Sequence, residues 1–161
     1  MNLSNENKLL ISCIRDGISR DNPEEIHTLL SSRIKWDEFI DAAISQGIAP
    51  MAYKRLKDIP ERCPVPLDVR DKLAEIYHRN VARNMYIHSE LKRILSVFNE
   101  NGTDVMLLKG AALSGTVYKD IGLRAMGDID LLVKPECLPR VKEIMHELDY
   151  AAEFGARTEE W

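Results

Sequence analysis

One stretch constrains this chain more than any other: Val105 to Val133, VMLLKGAALSGTVYKDIGLRAMGDIDLLV. It opens with a short apolar run, Val105 to Leu108, between Gly102 and Gly110. A run so short and so apolar suits a buried strand. Lys109-Gly110 then turns the chain into a small, apolar segment at helical spacing, with Ala111, Ala112, Leu113, Val117 and Tyr118, and Gly122 is expected to break that helix. Gly127 to Val133 reads as a second strand, ended by Pro135.

The second strand carries the chemistry. Residues i and i+2 of a strand share a face, so Asp128 and Asp130 are expected to present two carboxylates together while Ile129 and Leu131 face the other way. Adjacent carboxylates repel each other and are costly to desolvate. A divalent cation relieves both problems, and hard oxygen donors favour magnesium or manganese. The plainer alternative is one Asp capping a turn and the other solvated at a strand end.

The preceding turn adds to the metal reading. A helix beginning at Gly110 offers free backbone N–H groups and a positive dipole end, which suit phosphate. Gly110 lets a ligand approach the backbone, and Lys109 adds a point charge that either meets phosphate or extends into solvent. Arg124 has two readings as well: it neutralises phosphate, or it pairs with Asp120 or Asp128. Together these residues describe a place for a metal–nucleoside triphosphate.

At these residues the chain resembles a known family. Leu108-Lys109-Gly110-Ala111-Ala112-Leu113, then Tyr118, then Leu123 to Val133, is similar to the signature LKG-x-AL, Tyr, LR-x-MGDIDLLV of the uncharacterised nucleotidyltransferases of the polymerase-beta superfamily. The likeness is close over the last third of the chain and extends to the first part only in helical character. It implies an α+β fold, with a helical N-terminal part packed on a small mixed sheet of polymerase-beta-like type. It also implies that Asp128 and Asp130 hold magnesium (or manganese) while the Gly110 turn cradles the triphosphate. Two departures stand out. Many superfamily members have Gly-Ser at the turn, whereas Ala111 follows Gly110 here, leaving Ser114 a turn further on as the candidate hydroxyl. Such enzymes also use a third carboxylate on a later strand and have longer chains, so the core is expected to be incomplete at its C-terminus. Glu153, Glu159 and Glu160 are the acidic candidates, and none lies in an apolar strand motif.

Composition bounds the rest. The 161 residues, 45% apolar and 30% charged, suit a globular chain that buries a core. A formal charge of −4 argues against non-specific nucleic-acid binding. Cys13, Cys63 and Cys137 form no C-x-x-C and are expected to be reduced thiols. With no apolar run of membrane length and no signal-like N-terminus, the expected location is the cytoplasm, away from any membrane.

The remaining pattern is helical: Leu3 to Ser19, with Leu10, Ile11, Ile14 and Ile18 on one stripe; Glu24 to Leu30; Trp36 to Gln46, with Phe39, Ile40, Ala43 and Ile44 apolar; and Ile48 to Leu56. Pro60, Pro64 and Pro66 mark 59–66 as a linker between a helical subdomain, 1–58, and a second unit, 67–161. A long helix should run from Pro66 to about Phe98, bending at the polar patch Arg79 to Asn84. Leu138 to Leu148 reads as an amphipathic helix and Tyr150 to Ala152 as a last strand. His27, His78, His88 and His146 lack zinc spacing, Ser12, Ser45 and Ser114 lack a hydrolase setting, and Trp36, Tyr53, Tyr77 and Tyr86 read as core. The function expected is transfer of a nucleoside monophosphate from NTP to an acceptor that the sequence leaves open. The rival is a catalytically incomplete module that keeps the fold for binding a nucleotide or a partner.

Overall fold

The computed structural model describes residues 3–15, 23–59 and 65–152. Four short helices, α1 (Asn5–Arg15), α2 (Pro23–Leu30), α3 (Trp36–Ser45) and α4 (Ala49–Lys57), precede one long helix, α5 (Leu67–Glu100). Then come β1 (Val105–Leu107), α6 (Lys109–Thr116), β2 (Leu131–Val133), a 3-10 turn at Pro135–Cys137, and α7 (Leu138–Glu147). Among the described residues no helix is long and apolar enough to cross a membrane.

The first core is wholly helical. Leu9 and Cys13 of α1, Leu30 of α2, Phe39 of α3, Leu56 of α4 and Leu73 of α5 are buried in one cluster. Phe39 is fully buried, and truncating it to Ala would cost roughly 3–5 kcal/mol. Gly47 closes α3 from a left-handed φ of 67°, where a side chain would be strained. Two residues expected on these apolar stripes face out: Ile11 is 39% and Ile44 48% exposed. Helix α1 turns Leu9, Leu10 and Cys13 inward instead, and Ile44 lies past the buried stripe of Phe39, Ile40 and Ala43.

Helix α5 carries the chain from this core to the next. Val69 and Leu73 belong to the first cluster, whereas Ile87, Leu91, Ile94 and Phe98 belong to the two clusters beneath α6, the sheet and α7. Of the expected linker, 60–64 lies outside the described residues. Helix α5 continues unbroken through Arg79 to Asn84. The patch is polar because Tyr77, Asn80 and Asn84 bond the loop that follows α6. Tyr86, expected in the core, is 69% exposed, since α5 buries Asn84 and Ile87 on either side of it.

The sheet corrects a second expectation. Among the described residues it has two strands, antiparallel rather than mixed, in the register Val105–Val133, Met106–Leu132 and Leu107–Leu131. Val105, Leu107, Leu131 and Val133 pack onto the α5 and α7 clusters, while Met106 and Leu132 point to solvent, the two-residue alternation of a one-sided sheet. Tyr150 to Ala152 forms no strand. The Tyr150 amide instead bonds the Met145 carbonyl to close α7. Its hydroxyl donates to Glu90 Oε2 at 2.8 Å, and its ring lies against Arg93, so the residue docks on α5.

Candidate nucleotide site

The Val105–Val133 stretch folds into two short strands around one helix and one loop. Helix α6 starts at Lys109 and ends at Thr116, six residues before Gly122, the residue expected to break it. Gly122 is required by space: a Cβ there would lie 2.5 Å from Tyr77 Cε2 and 2.7 Å from Val81 Cγ2. Its glycine lets the loop lie directly on α5.

Polar side chains hold that loop. Asn84 is fully buried; its Nδ2 donates to the carbonyls of Ile121 (2.5 Å) and Arg124 (2.6 Å), and its Oδ1 accepts from the Met126 amide (3.2 Å). Asn80 donates to the Gly122 carbonyl at 3.1 Å. Asp120 ties in a second helix. Its carboxylate accepts from Lys54 Nζ on α4 (2.6 Å), from the Tyr77 hydroxyl on α5 (2.8 Å) and from the Gly122 amide (2.9 Å). Burial works to raise the Asp120 carboxyl, but the Lys54, Gly122 and Tyr77 hydrogen bonds outweigh it and hold the group below its ordinary range.

Beyond the loop, Met126 is buried against Ile87, Leu91 and Ala111, and the chain runs extended through Asp128 and Asp130 into β2. The aspartates therefore precede the strand, which begins at Leu131 rather than Gly127. Pairing continues one residue back, where the Leu108 amide donates to the Asp130 carbonyl at 3.0 Å, and stops there because the facing chain turns into α6. Ile129 packs inward, Asp128 is exposed and Asp130 is half-buried.

The turn before α6 supplies the cations. Leu108, the helix cap, is extended, and no side chain caps the first turn, so its amide N–H groups lack a side-chain acceptor. Lys109 adopts a left-handed φ of 45°, uncommon outside glycine, and its ammonium lies 3.0 Å from Asp130 Oδ1. That hydrogen bond, followed by the charges of Asp130 and Asp128, raises the Lys109 pKa. Arg124 lies across the same turn: a Cβ on Gly110 would be 3.4 Å from Met126 Cγ and 3.9 Å from Arg124 Nε. Arg124 Nε is buried with no hydrogen-bond partner among the described residues. Of its expected readings, the pairing with Asp120 or Asp128 is not made: Arg124 forms no ion pair with either carboxylate among the described residues.

Five of the six candidate residues thus meet at one end of α6: Lys109, Gly110, Arg124, Asp128 and Asp130. Ser114 does not join them. Its hydroxyl donates to the Ala111 carbonyl at 3.1 Å, within the helix. Among the described residues no group of three His, Cys, Asp or Glu side chains could hold a metal, and Glu153, Glu159 and Glu160 lie outside the described residues. Tyr77, Asn80, Asn84 and the Lys54–Asp120 pair are supporting residues that motif reading missed. The available signal was the polar patch interrupting an apolar helical stripe.

This arrangement falls within a recognised family. The uncharacterised nucleotidyltransferase family matches residues 32–160, most of the chain, reaching well upstream of the Lys109–Val133 motif, and the chain belongs to it. Membership brings a nucleotidyltransferase-type function. No curated protein and no solved structure matches the chain.

Proposed function

We propose that this chain is a magnesium-dependent nucleotidyltransferase with a polymerase-beta-like core, working in the cytoplasm. It would move a nucleoside monophosphate from NTP to an acceptor. An acceptor nucleophile attacks the α-phosphorus, the bond to the β-bridging oxygen breaks, and pyrophosphate leaves. The observation that carries this reading is the convergence at one end of α6: an uncapped helix start, Lys109, the unpartnered Arg124 Nε, and both aspartates.

The residues present suit a hard divalent ion. Magnesium is commonly held by one or two carboxylates, with water and substrate phosphates completing its shell. Asp128 and Asp130 are that donor set, two residues apart on an extended segment. Magnesium or manganese there would offset charge on the phosphates and polarise the reacting phosphorus. The chain's own contribution is to bind and orient. The first-turn amides of α6 meet phosphate oxygens, with Gly110 leaving the backbone open to them. Lys109 can move from Asp130 to phosphate, bringing the positive charge that a lysine carries at neutral pH. Arg124 would meet the same oxygens once its buried Nε is uncovered. Ser114 would contribute only if its hydroxyl left Ala111.

Calorimetric titration of each NTP with magnesium, into wild type and the Asp128→Asn, Asp130→Asn double variant, tests the site. Magnesium-dependent binding lost in the double variant is expected. Equal binding by both proteins would remove the aspartates from the metal. The second reading, a nucleotide-binding or partner-binding module that does not catalyse, is favoured by the two-carboxylate set among the described residues. It predicts magnesium-dependent binding with no pyrophosphate released from any acceptor.

A further inference from the structure

We infer that Arg83 of α5 is a third cation of the triphosphate subsite, joining Lys109 and Arg124; this rests on the nucleotide site proposed above. Arg83 lies well outside the Lys109–Val133 motif, yet the fold brings its guanidinium to that motif's acidic end. Its Nη2 is 3.8 Å from the position of a Cβ on Gly127, the residue before Asp128. The side chain is exposed and makes no hydrogen bond or ion pair among the described residues.

The guanidinium thus reaches the segment that carries Asp128 and Asp130 without pairing with either carboxylate. Lys109, not Arg83, takes Asp130, and the donors of Arg83 stay available to a group arriving from solvent. Its placement is also firm. The next residue, Asn84, is fully buried and bonds the backbone of Ile121, Arg124 and Met126, which fixes this turn of α5 against the loop leading to the aspartates. A guanidinium presents paired N–H donors that match two phosphate oxygens at once, a geometry that lysine lacks. The chemistry recognised is a metal-bound polyphosphate, independent of the base. Arg79, one helical turn earlier and also exposed, is the natural control.

The experiment is calorimetry on the full chain with two probes in magnesium, inorganic tripolyphosphate and each NTP, using wild type, R83A, R83K and R79A. R83A is expected to weaken both probes about tenfold, with R83K restoring part of the loss. R79A should bind both as wild type does, and thermal midpoints should be unchanged. Wild-type affinity of R83A for tripolyphosphate would overturn this inference while leaving the nucleotide site standing. Failure of the wild-type protein to bind either probe would overturn both.

Discussion

Lys109 donates to Asp130 Oδ1 across 3.0 Å from a backbone held in the left-handed region. One of the two carboxylates therefore has a counter-ion supplied by the chain itself, and a cation bound there competes with it. Lys109→Ala should bind free Mn²⁺ more tightly, by several-fold at most for so exposed a pair, and Mg·NTP more weakly. Manganese EPR and nucleotide calorimetry read the two effects separately. Lys109→Gly removes the same charge and also relieves the backbone, so it should be more stable than Lys109→Ala by roughly 1 kcal/mol in urea unfolding.

Asn84 is fully buried and bonds three backbone groups of the loop. Replacing it with Leu would leave the Met126 amide and the Ile121 and Arg124 carbonyls without their partner. A loss of roughly 2–4 kcal/mol in urea unfolding is expected, together with weaker nucleotide binding, because the loop carries Arg124. Unchanged stability would show that the loop is held by something else.

Gly122→Ala tests the contact between loop and helix by volume alone. The added methyl would overlap the Tyr77 ring and Val81, and the backbone there must move to admit it. The expected cost is about 1–3 kcal/mol. Removing the ring as well, in Tyr77→Ala with Gly122→Ala, should cost less than the sum of the two single changes, which a double-mutant cycle measures.

Asp120 should give the chain an acid-sensitive component of stability. Its folded carboxyl lies below its ordinary range, so the unfolded chain takes up the proton first. The stabilisation is complete above the unfolded pKa and is lost as pH falls through the folded one. Urea midpoints should therefore begin to drop below about pH 5 and go on dropping as the pH falls through the folded pKa. In Asp120→Asn that drop should shrink, and at neutral pH the variant should be less stable than wild type.

The parts of this molecule that were legible in the sequence are those governed by local rules. Helix positions followed apolar periodicity, and Lys109, Gly110, Arg124, Asp128 and Asp130 lie in one motif whose members meet in space. What eluded the sequence depends on partners far along the chain. Asn84 read only as part of a polar patch because an amide within a helix gives no sign of the carbonyls it will meet some forty residues later. Tyr86 read as core because periodicity finds a stripe but cannot tell which neighbouring position α5 will bury. The length of β2 was overestimated because strand character in Gly127 to Asp130 is realised only where a facing strand remains, and β1 has by then become α6. Ser114 looked available because the sequence does not reveal a hydroxyl folding back on its own helix.

Helix α5 begins in one hydrophobic cluster and ends in two others, with the loop-clasping asparagine between them. A rod shared in this way transmits disorder as readily as order. Loosening Leu73 at its near end should loosen the turn that carries Asn84, and with it the chain leading to the aspartates. Heat should accordingly melt both ends together, in one calorimetric transition, and a cavity cut into the helical core should be felt as weakened nucleotide affinity at the far end of the rod.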